Sequence, residues 1–430
     1  MSFSAFHTPN PRFRWPPSIN TSFAETRDAS RYGYSYYQYS SNFNFQRTNE
    51  FVLIAAVIRP TGFTNKKLPV LVWIYGGGLY AGSTAGPQYN LSGIIRISQD
   101  TNTPIIAVSM NYRLGKAQPR FLQSPQILAE GSSNTGLLDQ RLALRWIQEN
   151  IEAFGGDPSR VTIWGESAGA QSIELHLNSY GVRDDGLSHA TIMESGDPFF
   201  AAQTRQVWNP IVNGDLLQSY LSTTMDEGDF VKVPLLIGAN PDEGVSFSVH
   251  GLDNTTAMSN SLTIQKPLDL YPKDDFANES TYDAAIGGDL MMIAQRRKMC
   301  EFYTQAAKDV YSYRFDTPLW NQTAPTSVLH FVNFVFSFRN VSGALGPSPR
   351  YESYKDLSTD IGRAYVNFVE TEDPNGIGNS KRVGLPAWPK YALAAPKNMV
   401  LNSNGSYVED DTWRNEGIAF INSLARELLA

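Results

Sequence analysis

Val161-Thr-Ile-Trp-Gly165-Glu166-Ser167-Ala168-Gly169-Ala170 decides how the rest of this chain is read. It is a G-x-S-x-G directly after a β-branched run and directly before a helical stretch. A serine on so tight a strand-to-helix turn adopts a strained backbone, and the flanking glycines let neighbouring elements come close. Its hydroxyl then stands above the C-terminal edge of a sheet at a helix N-terminus, where negative charge is favoured. A bare G-x-S-x-G is a weak signal, and a structural Gly-Ser turn would also satisfy it. The strand before and the helix after make a nucleophile the better reading.

A nucleophilic hydroxyl needs oxyanion donors and a base. Upstream, Val72-Trp-Ile-Tyr75-Gly76-Gly77-Gly78-Leu79 places three glycines at the end of a buried strand. Consecutive N–H groups are bare of side chains there, which a merely flexible turn does not require. Gly77, Gly78 and Ala168 are the expected donors, each worth about 3 kcal/mol of barrier if they act as single oxyanion-hole donors do. In this arrangement the acid and then the histidine follow the serine in chain order. His7 precedes Ser167 and is excluded. His176, on the helix after the nucleophile, and His189, just before the next strand, read as surface or packing histidines. Pro241-Asp242-Glu243-Gly244 follows an apolar strand, so Glu243 stands where a strand-end acid belongs. His250 shares the loop of Glu243. His330, in Ser327-Val-Leu-His330-Phe331, comes from a separate loop and is favoured on order, with His250 as its competitor.

Outward from these loops the chain alternates strands and helices. Buried strands are expected at Phe51–Ile58, Val70–Tyr75, Pro104–Ser109, Val161–Trp164, Ala190–Glu194, Val233–Ala239, Val310–Phe315 and Asn398–Leu401. Helices are expected at Gly136–Phe154, Ala168–Leu177, Tyr282–Asp309, Leu357–Glu370 and Thr412–Leu429, the first stopped by Gly155-Gly156. The alternation predicts an α/β fold: one mostly parallel central sheet with helices on both faces. Neither a repeat nor a linker divides the chain, so residues 1–430 read as a single domain. Residues 1 to about 48 look irregular. Within them, Arg31 to Asn44 (RYGYSYYQYSSNFN) reads as a loop over the body rather than an aromatic binding surface.

Composition narrows the classes of function. Hydrophobic residues make up 42% of 430, too many for a disordered chain. A net charge of -7 argues against a nucleic-acid surface. With Cys300 alone, no intrachain disulfide and no cysteine-based metal site can form. The longest apolar run, Phe51–Ile58, is far short of the roughly 20 residues that span a bilayer. The first twenty residues carry four prolines, His7, Arg12 and Arg14 with no apolar stretch, so a signal peptide is not expected there. N-x-S/T sequons occur at Asn20, Asn90, Asn254, Asn278, Asn321, Asn340 and Asn404.

Taken together, these stretches resemble the type B carboxylesterase/lipase family, the α/β-hydrolase branch that holds fungal esterases, lipases and cholinesterases. Asn134 to Gly169, with Asp139, Asp157-Pro158 and the nucleophile turn, is close to the family's central signature. Trp73–Gly82 resembles its oxyanion loop, Val233–Phe247 its acid loop and His330–Phe338 its histidine loop. Pro9–Arg14 and Arg27–Gly33 resemble its early segments. The resemblance implies a serine hydrolase of small-molecule or lipid esters, with Ser167 as nucleophile, Glu243 as acid in preference to Asp242, and His330 as base. It implies no metal and no organic cofactor. Glu166, beside the nucleophile, is expected either to tune the local field or to brace the turn as a buried, hydrogen-bonded acid.

The departures from the family pattern carry their own expectations. Tyr32–Tyr36 and Asn49–Val52 stand where the family places the two half-cystines of one loop, and both are replaced together. That is also the loop of the tryptophan-lined choline site, so choline esters are not expected. The chain is short at its N-terminus and after Pro198, where relatives carry a longer helical insert, so part of the pocket wall is expected to be missing. Asn333 replaces an acidic residue after the histidine. Family members are commonly secreted, whereas a signal peptide is not expected in the first twenty residues, so the location stays open. The alternative to catalysis is a non-catalytic, cholinesterase-like interaction protein or an incomplete, inactive esterase homologue.

Overall fold

The computed structural model describes residues 2–4, 32, 33, 35, 54–63, 66–114, 124–196, 210–246, 269–319, 328–339, 351–376 and 384–424. Its frame is a ten-stranded sheet. The strands are β1 (Ser2–Ser4), β2 (Ile54–Ile58), β3 (Leu68–Ile74), β4 (Ile106–Met110) and β5 (Gly156–Glu166), followed by β6 (Ala190–Glu194), β7 (Leu235–Ala239), β8 (Val310–Phe315), β9 (Lys397–Leu401) and β10 (Tyr407–Asp410). Their spatial order is β1-β2-β4-β3-β5-β6-β7-β8-β9-β10. All pairs from β4 to β9 are parallel, while β1/β2, β2/β4 and β9/β10 are antiparallel. This is the expected α/β-hydrolase sheet.

Burial of β3, β4, β6 and β7 along their whole length explains why they read as unbroken apolar runs. Pro69 has no N–H to give to the ladder, and the β3/β5 register shifts between Leu68 and Val70. Alternation along β5 puts helices on both faces. Trp164 points to one face, where its ring meets Trp73, Phe338 and Tyr365, the last on the helix Glu352–Thr371. Gly165 points to the other, against Gly169 and Ala170 of the helix Ala168–Leu177.

Several expected boundaries need correction. Ser2–Ser4 lies in the segment read as irregular, yet it pairs with β2. The helix expected at Tyr282–Asp309 is three pieces: Glu279–Gly288, a π-helical turn Asp289–Ile293, and Ala294–Gln305. The turn falls where buried Asp289 accepts hydrogen bonds from Tyr271 and Arg414. The last piece stops at a left-handed Ala307 with Lys308 N–H donating to Tyr303. The C-terminal helix is shorter than read, Asn415–Ser423. The low-complexity stretch beyond residues 32, 33 and 35, the replaced segment Asn49–Val52 and the short stretch after Pro198 lie outside the described residues. No helix among the described residues is long and apolar enough to cross a membrane.

Candidate active site

Ser167 sits between the end of β5 and the helix Ala168–Leu177 at φ 54° and ψ −125°. That conformation is costly for a residue with a Cβ, on the order of 1–3 kcal/mol, and persists only where its surroundings hold it. Ser167 N–H donates to Glu194 O at 2.9 Å, and Gln171 N–H donates back to Ser167 O at 2.9 Å. Two glycines make room for the turn. A Cβ on Gly169 would lie 2.1 Å from Ile74 O, and one on Gly76 would lie 2.8 Å from the Ser167 Cβ. The end of β3 and the start of the helix are therefore in backbone contact, with the serine beside the glycine run.

Glu243 follows β7 on the short turn Glu243–Ser246 and is fully buried. Its Oε1 accepts the Asn240 N–H at 2.7 Å, and its Oε2 lies 2.6 Å from His330 Nδ1. His330 Nε2 lies 2.9 Å from Ser167 Oγ. Ser167 and Glu243, just past the ends of β5 and β7, and His330, in the loop beyond β8, thus form one continuous hydrogen-bonded chain. Asp242 turns elsewhere: it bridges to Leu329 and its Oδ2 accepts Val328 N–H at 3.0 Å. His250 and His7 lie outside the described residues. His176 is buried with Nε2 2.9 Å from Gln140 Oε1, and burial together with Arg141 pushes its pKa down to about 3. His189 packs its Nδ1 against Val161 O at 2.9 Å.

The glycine run closes on itself, with Tyr80 and Ala81 N–H both donating to Gly77 O. Gly77 and Gly78 have φ of 94° and 61°, a region that admits glycine without strain. Among the described residues the N–H groups of Gly77 and Gly78 donate to no carbonyl. The carboxylesterase family profile matches residues 5–207 and 270–420.

The chain belongs to the carboxylesterase family. Among its relatives, secreted lipase 1 of Botryotinia fuckeliana is 29% identical over 84% of this chain and 74% of its own length. Lipase 1 of Geotrichum candidum is 27% identical over 86% and 77%. Acetylcholinesterase 1 of Caenorhabditis elegans is 25% identical over 94% and 78%. The fold is shared with Aspergillus niger EstA at a TM-score of 0.82, covering 100% of this chain and 95% of that one at 23% identity. As a member of this family the protein is a carboxylic ester hydrolase.

In this carboxylesterase, the expectation that Glu166 is a hydrogen-bonded brace is corrected. Glu166 is fully buried, yet neither carboxyl oxygen has a hydrogen-bond partner among the described residues. His330 Nε2 lies 3.4 Å from its Oε1. Burial is the main cause that pushes its pKa up to about 8, with Glu194 and Glu243 adding to it and His330 opposing it. Burial works against charge on His330 too, but the Glu243 and Glu166 carboxylates outweigh it and raise the imidazole above its ordinary value.

Two residues escaped the sequence reading. Asn240 touches both the acid and the histidine loop, through Glu243 and through Leu329 O at 2.7 Å. Glu194 ends β6 under the site and accepts from Ser337 Oγ at 2.7 Å and from the Tyr365 hydroxyl. A polar residue at or directly after the end of a buried strand was the signal for each.

Proposed function

We propose that this carboxylesterase hydrolyses carboxylic esters through an acyl-enzyme on Ser167, within a single catalytic domain spanning the chain. The unbroken Ser167–His330–Glu243 chain, with steps of 2.9 and 2.6 Å, carries the reading. His330 Nε2 takes the Ser167 proton as Oγ attacks the acyl carbon. Glu243 fixes the tautomer and orientation of the imidazole and stabilises the imidazolium. The carbonyl oxygen becomes an oxyanion received by the N–H groups of Gly77, Gly78 and Ala168. Collapse expels the alcohol, which leaves with the proton from His330. Water then attacks the acyl-enzyme with His330 again as base, releasing the acid and restoring Ser167.

The names of the fungal relatives support lipid or small-molecule esters as substrates. The experiment is turnover of p-nitrophenyl acetate and butyrate by the wild-type protein and by Ser167→Ala. The variant should lose at least about 10⁴-fold in kcat, as removal of a triad member does. Equal turnover before and after the substitution would sink the reading. A folded wild-type chain that never reacts with a fluorophosphonate at Ser167 would instead favour the non-catalytic alternative.

A further inference from the structure

The catalytic chain depends on two loops that arrive from distant parts of the sequence, one after β7 and one after β8. The histidine loop carries backbone strain of its own, even with Val332 N–H donating to Leu329 O at 3.2 Å across the base. Phe331, the residue after the base, sits at φ 75°, a left-handed conformation unfavourable for a bulky side chain. A loop under such strain keeps its shape only where something outside it holds it.

Asn240 is placed to do so. It is fully buried at the first position after β7, where its N–H leaves the sheet ladder and donates to Glu243 Oε1 at 2.7 Å. Its side-chain Nδ2 donates to Leu329 O at 2.7 Å, the carbonyl of the residue directly before His330, and to Asn333 Oδ1 at 3.1 Å. A carbonyl can only accept, so the amide nitrogen must face Leu329. Among the described residues that leaves Asn240 Oδ1 and Asn333 Nδ2 buried without partners. Leaving such atoms unpaired costs free energy, and here that cost falls at a residue that touches both loops. Asp242 ties the loops once more, bridging to Leu329 and exchanging hydrogen bonds with Val328, whereas the bond to the Glu243 carboxylate comes from Asn240.

We infer that Asn240 is a positioning residue for ester hydrolysis, a clamp whose backbone N–H aims the Glu243 carboxylate and whose side-chain amide sets His330 against Ser167. Asn333 serves the clamp as an uncharged acceptor. The clamp leaves Glu243 and Glu166 as the acids beside the imidazole. This rests on the triad reading above.

The test compares Asn240→Ala and Asn240→Asp with Asn367→Ala, which removes a buried amide bonded to Pro374 O far from the site. Both Asn240 variants keep the backbone N–H; the aspartate also keeps the volume but replaces the amide donor with an ionisable carboxyl oxygen facing two acceptors. kcat for p-nitrophenyl butyrate, taken per folded molecule by near-ultraviolet circular dichroism, should fall between about 10- and 100-fold in both, as expected for a displaced base. KM should change less than about twofold, because the clamp does not touch substrate. In Asn240→Ala the acid limb of kcat/KM should move to lower pH as the bond between His330 and Glu243 loosens. Asn367→Ala should lower the melting temperature without moving either kcat or the limb. Unchanged kcat and an unchanged limb in the folded Asn240 variants overturn the inference, as does an equal kcat loss in Asn367→Ala. Turnover that survives Ser167→Ala overturns the triad reading itself. Turnover lost with Ser167→Ala but kept with Asn240→Ala overturns this inference alone.

Discussion

At the scale of single residues, Glu166 and His330 are best treated as a pair. A carboxyl buried without hydrogen bonds and 3.4 Å from an imidazole nitrogen is disfavoured as an isolated charge and favoured beside an imidazolium. Catalysis by His330 as base requires its neutral form. Its raised pKa therefore places the acid limb of kcat/KM above the ordinary 6.5. Glu166→Gln has the same shape and cannot become negative. The imidazolium loses a partner, so the acid limb should move to lower pH while kcat falls, because the charge that develops on His330 is less well met. A pH–rate series on both proteins checks this, and a limb that stays put or moves upward would refute the pairing. The Ser167–His330–Glu243 chain was legible as a candidate site because Ser167 and Glu243 closely follow buried strands, while His330 was reached through chain order and family resemblance. The pairing of Glu166 was not. Its partner lies far along the chain, and only the fold sets the distance. Asn240 was hidden for the same reason, since its two contacts are made to loops that meet only after folding.

At the scale of elements, the site is a set of close backbone approaches more than a set of side chains. The helix Ala168–Leu177 begins against the end of β3, where a Cβ on Gly169 would meet Ile74 O at 2.1 Å, a backbone atom with no freedom to withdraw. Gly169→Ala should push the helix start away from β3 and with it both Ser167 and the Ala168 N–H. The expected outcome is a stability loss of about 1–3 kcal/mol from overpacking and a far larger loss of turnover. Thermal melts beside p-nitrophenyl ester assays check it, and a variant with wild-type turnover would show that the contact is dispensable. The buried strands were legible because burial on both faces demands an apolar run. The helix Ser92–Asp100 was not, because its inward face of Ile94, Ile95 and Ile97 mimics a β-branched stretch. Edge strand β10 leaves Tyr407 and Val408 exposed and pairs through its backbone, so it has no apolar run to announce it.

At the scale of the whole molecule, buried ionisable groups set how stability follows pH. Burial pushes Glu174 and Glu194 up to about 7, and Glu166 up to about 8. From about 4.5 up to those values the folded protein keeps protons that the unfolded chain has lost, so stability falls as pH rises. His330, raised in the fold, acts in the same direction above 6.5. His176 acts oppositely. It is neutral in the fold down to about 3, so between there and its ordinary 6.5 stability rises with pH. Asp411, held low by Arg296 and Arg297 against its burial, adds stability that is lost as pH falls below the ordinary carboxylate range. Raised carboxyls, with Asp289, Glu301 and Asp360 pushed up by burial as well, outnumber one lowered histidine above 4.5, so the maximum should lie near about pH 5 and the melting temperature should decline towards pH 8. Glu174 accepts from Tyr303 and Asn178 on the far side of its helix from the triad chain, so Glu174→Gln should flatten part of that decline while leaving kcat unchanged. Melting curves from pH 4 to 8.5 on both proteins decide the matter. A wild-type melting temperature that keeps climbing from pH 5 to 8 would mean that the buried carboxyls ionise in the fold at ordinary values.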